Sequence, residues 1–172
     1  SSMNPGKAKE LKEGGENIPS IPNIPAPDEV EMDINLDEVL NNKMKLTVGD
    51  NEDFKVLVLT DLHLYAASNA QMKLQLPVVL ATIKKMIDRE NPDLIILDGD
   101  TILDYTNEIS NDNAFYNAIK DVVSLFEQKA IPWVHVYGNH DAEFFSKERQ
   151  QAIYESFDYC LSKSGPSYIS GI

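Results

Sequence analysis

The apolar positions of the chain alternate between two periods. Val56-Leu57-Val58-Leu59 is a short, continuous apolar run with polar flanks, which predicts a strand buried on both faces. Leu76, Val79, Leu80, Ile83 and Ile87 then recur at helical spacing, with Lys84, Lys85, Asp88 and Arg89 on the other side. This helix is expected within residues 72–90; Pro77 suits a first turn and leaves the exact start open, and Asn91-Pro92 ends it. Leu94-Ile95-Ile96-Leu97 predicts a second buried strand, and Thr101 to Asp112 reads mostly as loop. Phe115, Ile119, Val122, Val123 and Phe126 mark a second helix, Ile131 to Tyr137 a third strand, and Lys147 to Phe157 a third helix. Upstream, Lys45 to Val48, the turn residues Gly49-Asp50-Asn51 and the run from Phe54 predict strand, turn and strand. Tyr168-Ile169 predicts the start of another strand.

Strand alternating with helix gives an α/β architecture, a mostly parallel sheet covered by helices. Right-handed crossovers set the C-terminal ends of the three central strands on one edge. Such sheets place their ligands along that edge. Residues 1–28 do not fit the pattern: the Ile-Pro repeats of residues 18–27 cannot continue a helix and suit a flexible Pro/Gly-rich arm. Residues 29–172 are read as the folded part, with 29–41 a short helix or irregular cover.

Composition narrows the classes. The chain has 172 residues and 42% apolar content, enough for one domain with a core. Its net charge of −13 disfavours nucleic acid, whose phosphates it repels, and suits a pocket that holds cations. Bound metal would invert that sign locally and admit a small phosphate ester. Cys160 is the one cysteine, so no intrachain disulfide forms, and it is expected to be buried and inert. No apolar run is long enough to span a bilayer. No signal peptide is visible, although Ser1-Ser2 before Met3 reads as a cloning scar and leaves an earlier leader open. The compartment is left open, with the cytoplasm slightly favoured. Neither a Gly-rich phosphate loop with its Lys nor a G-x-G-x-x-G string occurs, which weighs against a nucleotide-binding α/β protein.

The candidate chemistry sits at the strand ends. The first apolar run finishes in Asp61-Leu62-His63, where a carboxylate and an imidazole two residues apart face one side if strand geometry persists. That pair suits Zn, Fe or Mn. The second run finishes in Gly99-Asp100, placing a carboxylate just off a tight turn. The third finishes in Gly138-Asn139-His140-Asp141, which holds a neutral oxygen donor, an imidazole suited to proton transfer, and a carboxylate able to orient it. Any one of these strings suits an ordinary polar turn. Three strand ends of this kind in one chain point to a shared site. His135, alternating with Trp133 and Tyr137, is expected to be packed or hydrogen-bonded. Trp133, Tyr137, Phe115 and Phe126 are expected in the core. Tyr65 fits a pocket wall or a surface aromatic equally, and Asn107, Asn111 and Asn113 lie in a loop where substrate contact is open.

The blocks Asp61-Leu62-His63, Gly99-Asp100 and Gly138-Asn139-His140-Asp141 resemble the first three blocks of the calcineurin-like metallophosphoesterase superfamily. Phe54-Lys55-Val56 and Asn91-Pro92-Asp93-Leu94 fit the surrounding text. Ile131-Pro132-Trp133 and Ser164-Gly165-Pro166 look like its branch of purple-acid-phosphatase-related single-domain phosphatases. The resemblance covers roughly residues 54–172. It implies a sandwich of two stacked mixed sheets flanked by helices, of which this chain supplies roughly the N-terminal half. It further implies two divalent or trivalent metal ions (Fe, Mn or Zn). Asp61 and His63 would hold the first, Asp100 would bridge, and Asn139 would hold the second. His140 would act on the substrate as general acid or phosphate donor, supported by Asp141. The implied reaction is hydrolysis of a small phosphate ester or a phosphoprotein by a hydroxide that the two metals activate.

The family completes its site with a later His and a Gly-His-x-His block, and this chain has only His63, His135 and His140. The chain alone is therefore expected to be an inactive part of a phosphatase, completed by a C-terminal half from the same gene product. The alternative is a non-catalytic binding or interaction module that retains half of the fold.

Overall fold

A computed structural model of the chain describes residues 9–11, 17–19, 46, 53–143 and 145–164. The strands expected at Lys45–Val48 and Tyr168-Ile169, the turn at 49–51 and the element at 29–41 lie outside the described residues. Near the front, Lys9–Leu11 (β1) and Asn17–Pro19 (β2) pair antiparallel.

Three parallel strands follow: Val56–Leu59 (β3), Leu94–Asp98 (β4) and Trp133–Val136 (β5), in that order across the sheet. Leu59 pairs with Leu97, and Leu97 with His135, so the three apolar runs stop at nearly one level. The crossovers are the helices Ala70–Glu90 (α1) and Asp112–Gln128 (α2), and Lys147–Glu155 (α3) comes after β5. Each helix begins at a polar cap. Asn69 accepts from Gln71 N and Met72 N, Asn111 from Ala114 N, and Ser146 from Arg149 N. Asn111 is thus a cap, Asn113 accepts from Asn117 Nδ2, and Asn107 sits in a left-handed turn (φ 57°).

The start of α1 differs from the expected one. The Asn69 cap carries the helix back to Ala70, leaving Pro77 in the interior rather than the first turn. Pro77 lies on the exposed side of the helix, as does Lys73, whose carbonyl it cannot serve. The other end matches expectation: Asn91 adopts a left-handed cap (φ 46°) before Pro92.

All three helices contribute to one core. Phe115, Ile119, Val123 and Phe126 of α2 meet Ile95, Leu97 and Trp133 of the sheet and Tyr154 of α3, all essentially buried. Phe115 packs edge-on against Tyr154, as does Trp133, with ring centres 5.4 and 5.8 Å apart. Tyr137 is only partly buried, and Tyr65 packs at the margin of the core. Past α3 the chain returns alongside β5, where Leu161 N donates to the Trp133 carbonyl. Glu127 fastens that return by accepting from Trp133 Nε1, Asp158 N and Tyr159 N.

Val56–Leu59 is not buried on both faces. Val56 is 43% exposed, and Val58 and Val136 are each 51% exposed. Sequential addition of strands through right-handed crossovers puts both connecting helices on one face of the sheet. The opposite face is the open one among the described residues.

His135 is buried, as expected, and its ring lies 3.9 Å from that of Tyr154. Burial pushes its pKa down from 6.5 to about 4, against smaller upward pulls from Gln151 and Glu155. Between those two values the unfolded chain binds a proton that the folded chain refuses, so acid favours unfolding. Stability is expected to be unaffected by this group above pH 6.5 and to fall by about 3 kcal/mol by pH 4. Urea titrations across that range check it, and His135→Phe should flatten the slope. Cys160 is buried, and burial raises its thiol to about 12, in keeping with an inert side chain.

Candidate metal centre

Beyond the sheet edge the first two strand ends continue to run side by side. Asp61 N donates to the Gly99 carbonyl (3.1 Å), His63 N to that of Asp100 (3.1 Å) and Leu64 N to that of Thr101 (2.9 Å). Leu64 and Ile102 form a parallel bridge, and both are buried. These contacts anchor two otherwise polar loops on the core.

Strand geometry does not persist through Asp61 and His63. Both are left-handed, with φ of 52° and 47°, and Asp100 has φ of 49°. Side chains other than glycine seldom adopt this region, and it costs about 1–3 kcal/mol per residue. The flanking hydrogen bonds hold the three there. The outcome still brings the side chains together: His63 Nε2 lies 3.6 Å from Asp61 Oδ1 and 3.9 Å from Asp100 Oδ2.

The third strand end locks onto the second through Asp141. Its carboxylate is buried and accepts from Asp100 N (2.8 Å), Ile102 N (3.0 Å) and Gly138 N (2.7 Å). From α3, the Gln150 amide donates to the carbonyls of Asp141 and Phe145. Asp100 Oδ1 accepts in turn from His140 N at 2.9 Å. Two glycines make room for this. A Cβ on Gly138 would overlap the Asp100 carboxylate, and one on Gly99 (φ 83°) would press on the Gly138 backbone.

Donor atoms of His63, Asp100 and His140 all lie within 4.8 Å of one another. The side chain of Asp61 is 59% exposed and borders them, its other oxygen accepting from Thr60 Oγ1. Asn139 is exposed, in the loop between Gly138 and His140. His63 Nε2 is buried without a hydrogen-bond partner. A buried imidazole nitrogen facing two carboxylates fits a cation well. The residues present therefore suit a bound metal ion.

His140 carries a contact that sequence reasoning missed. Its Nδ1 is 2.9 Å from Glu143 Oε1. This bond, with added attraction from Asp100 and Asp141, raises the imidazole pKa against a smaller desolvation effect. The carboxylate expected to support His140, Asp141, supports its backbone loop instead and leaves the ring to Glu143. An acidic residue three positions after a histidine in a turn was the available signal. Tyr105 is the second residue missed. It is 66% exposed, with its ring edge-on to His140 at 5.9 Å, and nothing in its loop spacing pointed to it.

Among the described residues no helix is long and apolar enough to cross a membrane. The calcineurin-like phosphoesterase profile matches residues 54–170. A protein of Arabidopsis thaliana named probable inactive purple acid phosphatase 29 is 29% identical over 113 residues, 59% of this chain and 27% of that protein. Phosphatase DCR2 of Saccharomyces cerevisiae is 26% identical over 136 residues, 71% of this chain and 22% of that protein. The chain thus matches about a quarter of the length of each relative. A parallel sheet whose three strand ends carry this donor set, and a family match across them, give one conclusion: the chain belongs to the calcineurin-like phosphoesterase family.

Proposed function

We propose that the chain contributes one side of a dinuclear-metal site that hydrolyses a phosphate ester. Family membership implies metal-dependent phosphoester hydrolysis at the family level. The observation that carries the reading to these residues is the buried, unpartnered His63 Nε2, faced by the Asp61 and Asp100 carboxylates and close to His140. Asp61, His63, Asp100 and Asn139 are the assigned metal donors. Bound there, two ions such as Fe, Mn or Zn supply Lewis acidity and neutralise charge that develops on the phosphoryl oxygens.

The chain's own groups do the remaining work. Asp100 turns one oxygen toward His63 while its other oxygen is held by His140 N. A carboxylate accepts, so Nδ1, the nitrogen bonded to Glu143, carries hydrogen and Nε2 is the nitrogen left for the substrate. When protonated on both nitrogens, the ring can give its Nε2 proton to the leaving oxygen. The assigned substrate is a small phosphate ester or a phosphoprotein, since the net charge of −13 repels long nucleic acids. Hydrolysis on this reading also needs a later His and a Gly-His-x-His pair, which residues 1–172 do not contain.

A second reading, metal and ligand binding without turnover, draws on the name of the Arabidopsis relative, which calls that protein probably inactive. One assay separates the two. Full-length protein reconstituted with Mn, Fe or Zn should hydrolyse an aryl phosphate and lose the activity on chelation. Metal-loaded protein that leaves phosphate mono- and diesters intact supports the binding module.

A further inference from the structure

We infer that Glu143 is the positioning residue for His140: its carboxylate holds the imidazole by Nδ1 and so presents Nε2 to the substrate. The inference rests on the phosphoester-hydrolysis reading above and adds a residue to it. Three observations carry it. Glu143 Oε1 and His140 Nδ1 are 2.9 Å apart, and their side chains are only 28% and 24% exposed. Two other rings meet that of His140 edge-on, His63 at 5.6 Å and Tyr105 at 5.9 Å, so its plane is confined on further sides. The neighbouring carboxylates are engaged elsewhere. Both oxygens of Asp141 accept backbone N–H groups, and Asp100 Oδ1 accepts from His140 N while Oδ2 faces His63. Glu143 is the carboxylate left for the ring.

The chemistry follows from what each atom can do. An ionised carboxylate only accepts, so the nitrogen bonded to it must carry hydrogen. Glu143 thereby selects the Nδ1–H form and leaves Nε2 as the nitrogen that exchanges a proton with substrate. A hydrogen-bonded partner on the remote ring nitrogen is the usual way to set tautomer and orientation together. The i, i+3 spacing in the turn after the third block makes the contact local, so it assembles with the loop and needs no other segment.

The test compares Glu143→Ala with Glu143→Gln in the full-length protein. Complete loss of an acid–base group costs about 10²–10⁴-fold. Loss of its orientation alone is a fraction of that, so kcat of Glu143→Ala should fall about tenfold or more with KM within about twofold. The Gln amide oxygen still accepts from Nδ1–H, so Glu143→Gln should recover much of the loss. Nitrogen-15 NMR of metal-free protein, with His140→Gln to assign the signal, gives a reading independent of turnover. Wild type and Glu143→Gln should show the Nδ1–H tautomer, and Glu143→Ala a mixture or the Nε2–H form. An active wild type whose Glu143→Ala variant keeps both kcat and tautomer overturns this inference alone. A metal-loaded wild type without hydrolysis overturns the proposed function, and the positioning role with it.

Discussion

Asp100→Asn is expected to reduce metal affinity at least about 100-fold and to remove hydrolysis with it. Partners that merely orient a metal donor are worth about 10–100-fold, so the loss of a donor oxygen should reach or pass the upper end. The substitution is selective for chemistry. Asparagine has nearly the volume of aspartate, and its oxygen can still accept from His140 N, the 2.9 Å bond that ties the second block to the third. What disappears is the charge, together with the second acceptor oxygen that faces His63 at 3.9 Å. Metal content after dialysis, measured beside a thermal melt, separates the effects. Metal should be lost while the melting temperature changes little. An Asp100→Asn protein that retains wild-type metal content would remove Asp100 from the site.

Asp141→Ala should act in the opposite way, on stability first. The carboxylate is 2% exposed and satisfies three backbone donors, those of Asp100, Ile102 and Gly138. Alanine leaves all three without an acceptor in a place where water has little access. Each buried unsatisfied group costs about 1–3 kcal/mol, and a total of about 3–5 kcal/mol is expected once the loop relaxes. For a domain of this size that lowers the melting temperature by about 10 °C or more. Asp141→Asn should fall between, because its amide nitrogen faces N–H groups that it cannot accept from. A Asp141→Ala protein that melts within about 2 °C of wild type would contradict this network.

The sheet and its helices were legible because burial leaves a strong periodic trace. β3, β4 and β5 are short apolar runs, and α1 and α2 repeat their apolar residues at helical spacing. The strand ends were legible for a related reason. Metal-capable residues placed directly after core strands stand out against the apolar text. Contacts made by the backbone left no such trace. Periodicity does not report that Asp61, His63 and Asp100 take left-handed conformations, since hydrogen bonds from another loop impose them. Nor could the role of Asp141 be read from its place beside His140. Its partners Asp100 and Ile102 are about forty residues upstream, joined to it only by the fold. Pro77 was misplaced because a proline inside a helix is tolerated when its side faces water, a property of packing. The apolar run at Val56–Leu59 overstated burial, because an apolar run does not say whether a second layer lies within reach.

On the proposed reading, His63 Nε2 and Asp100 Oδ2 are metal donors. Anomalous diffraction from crystals of the full-length protein soaked in Mn²⁺ tests it most directly. A peak at bonding distance, about 2.0–2.3 Å, from both atoms is expected. Well-ordered His63 and Asp100 side chains with no anomalous density between them would contradict it.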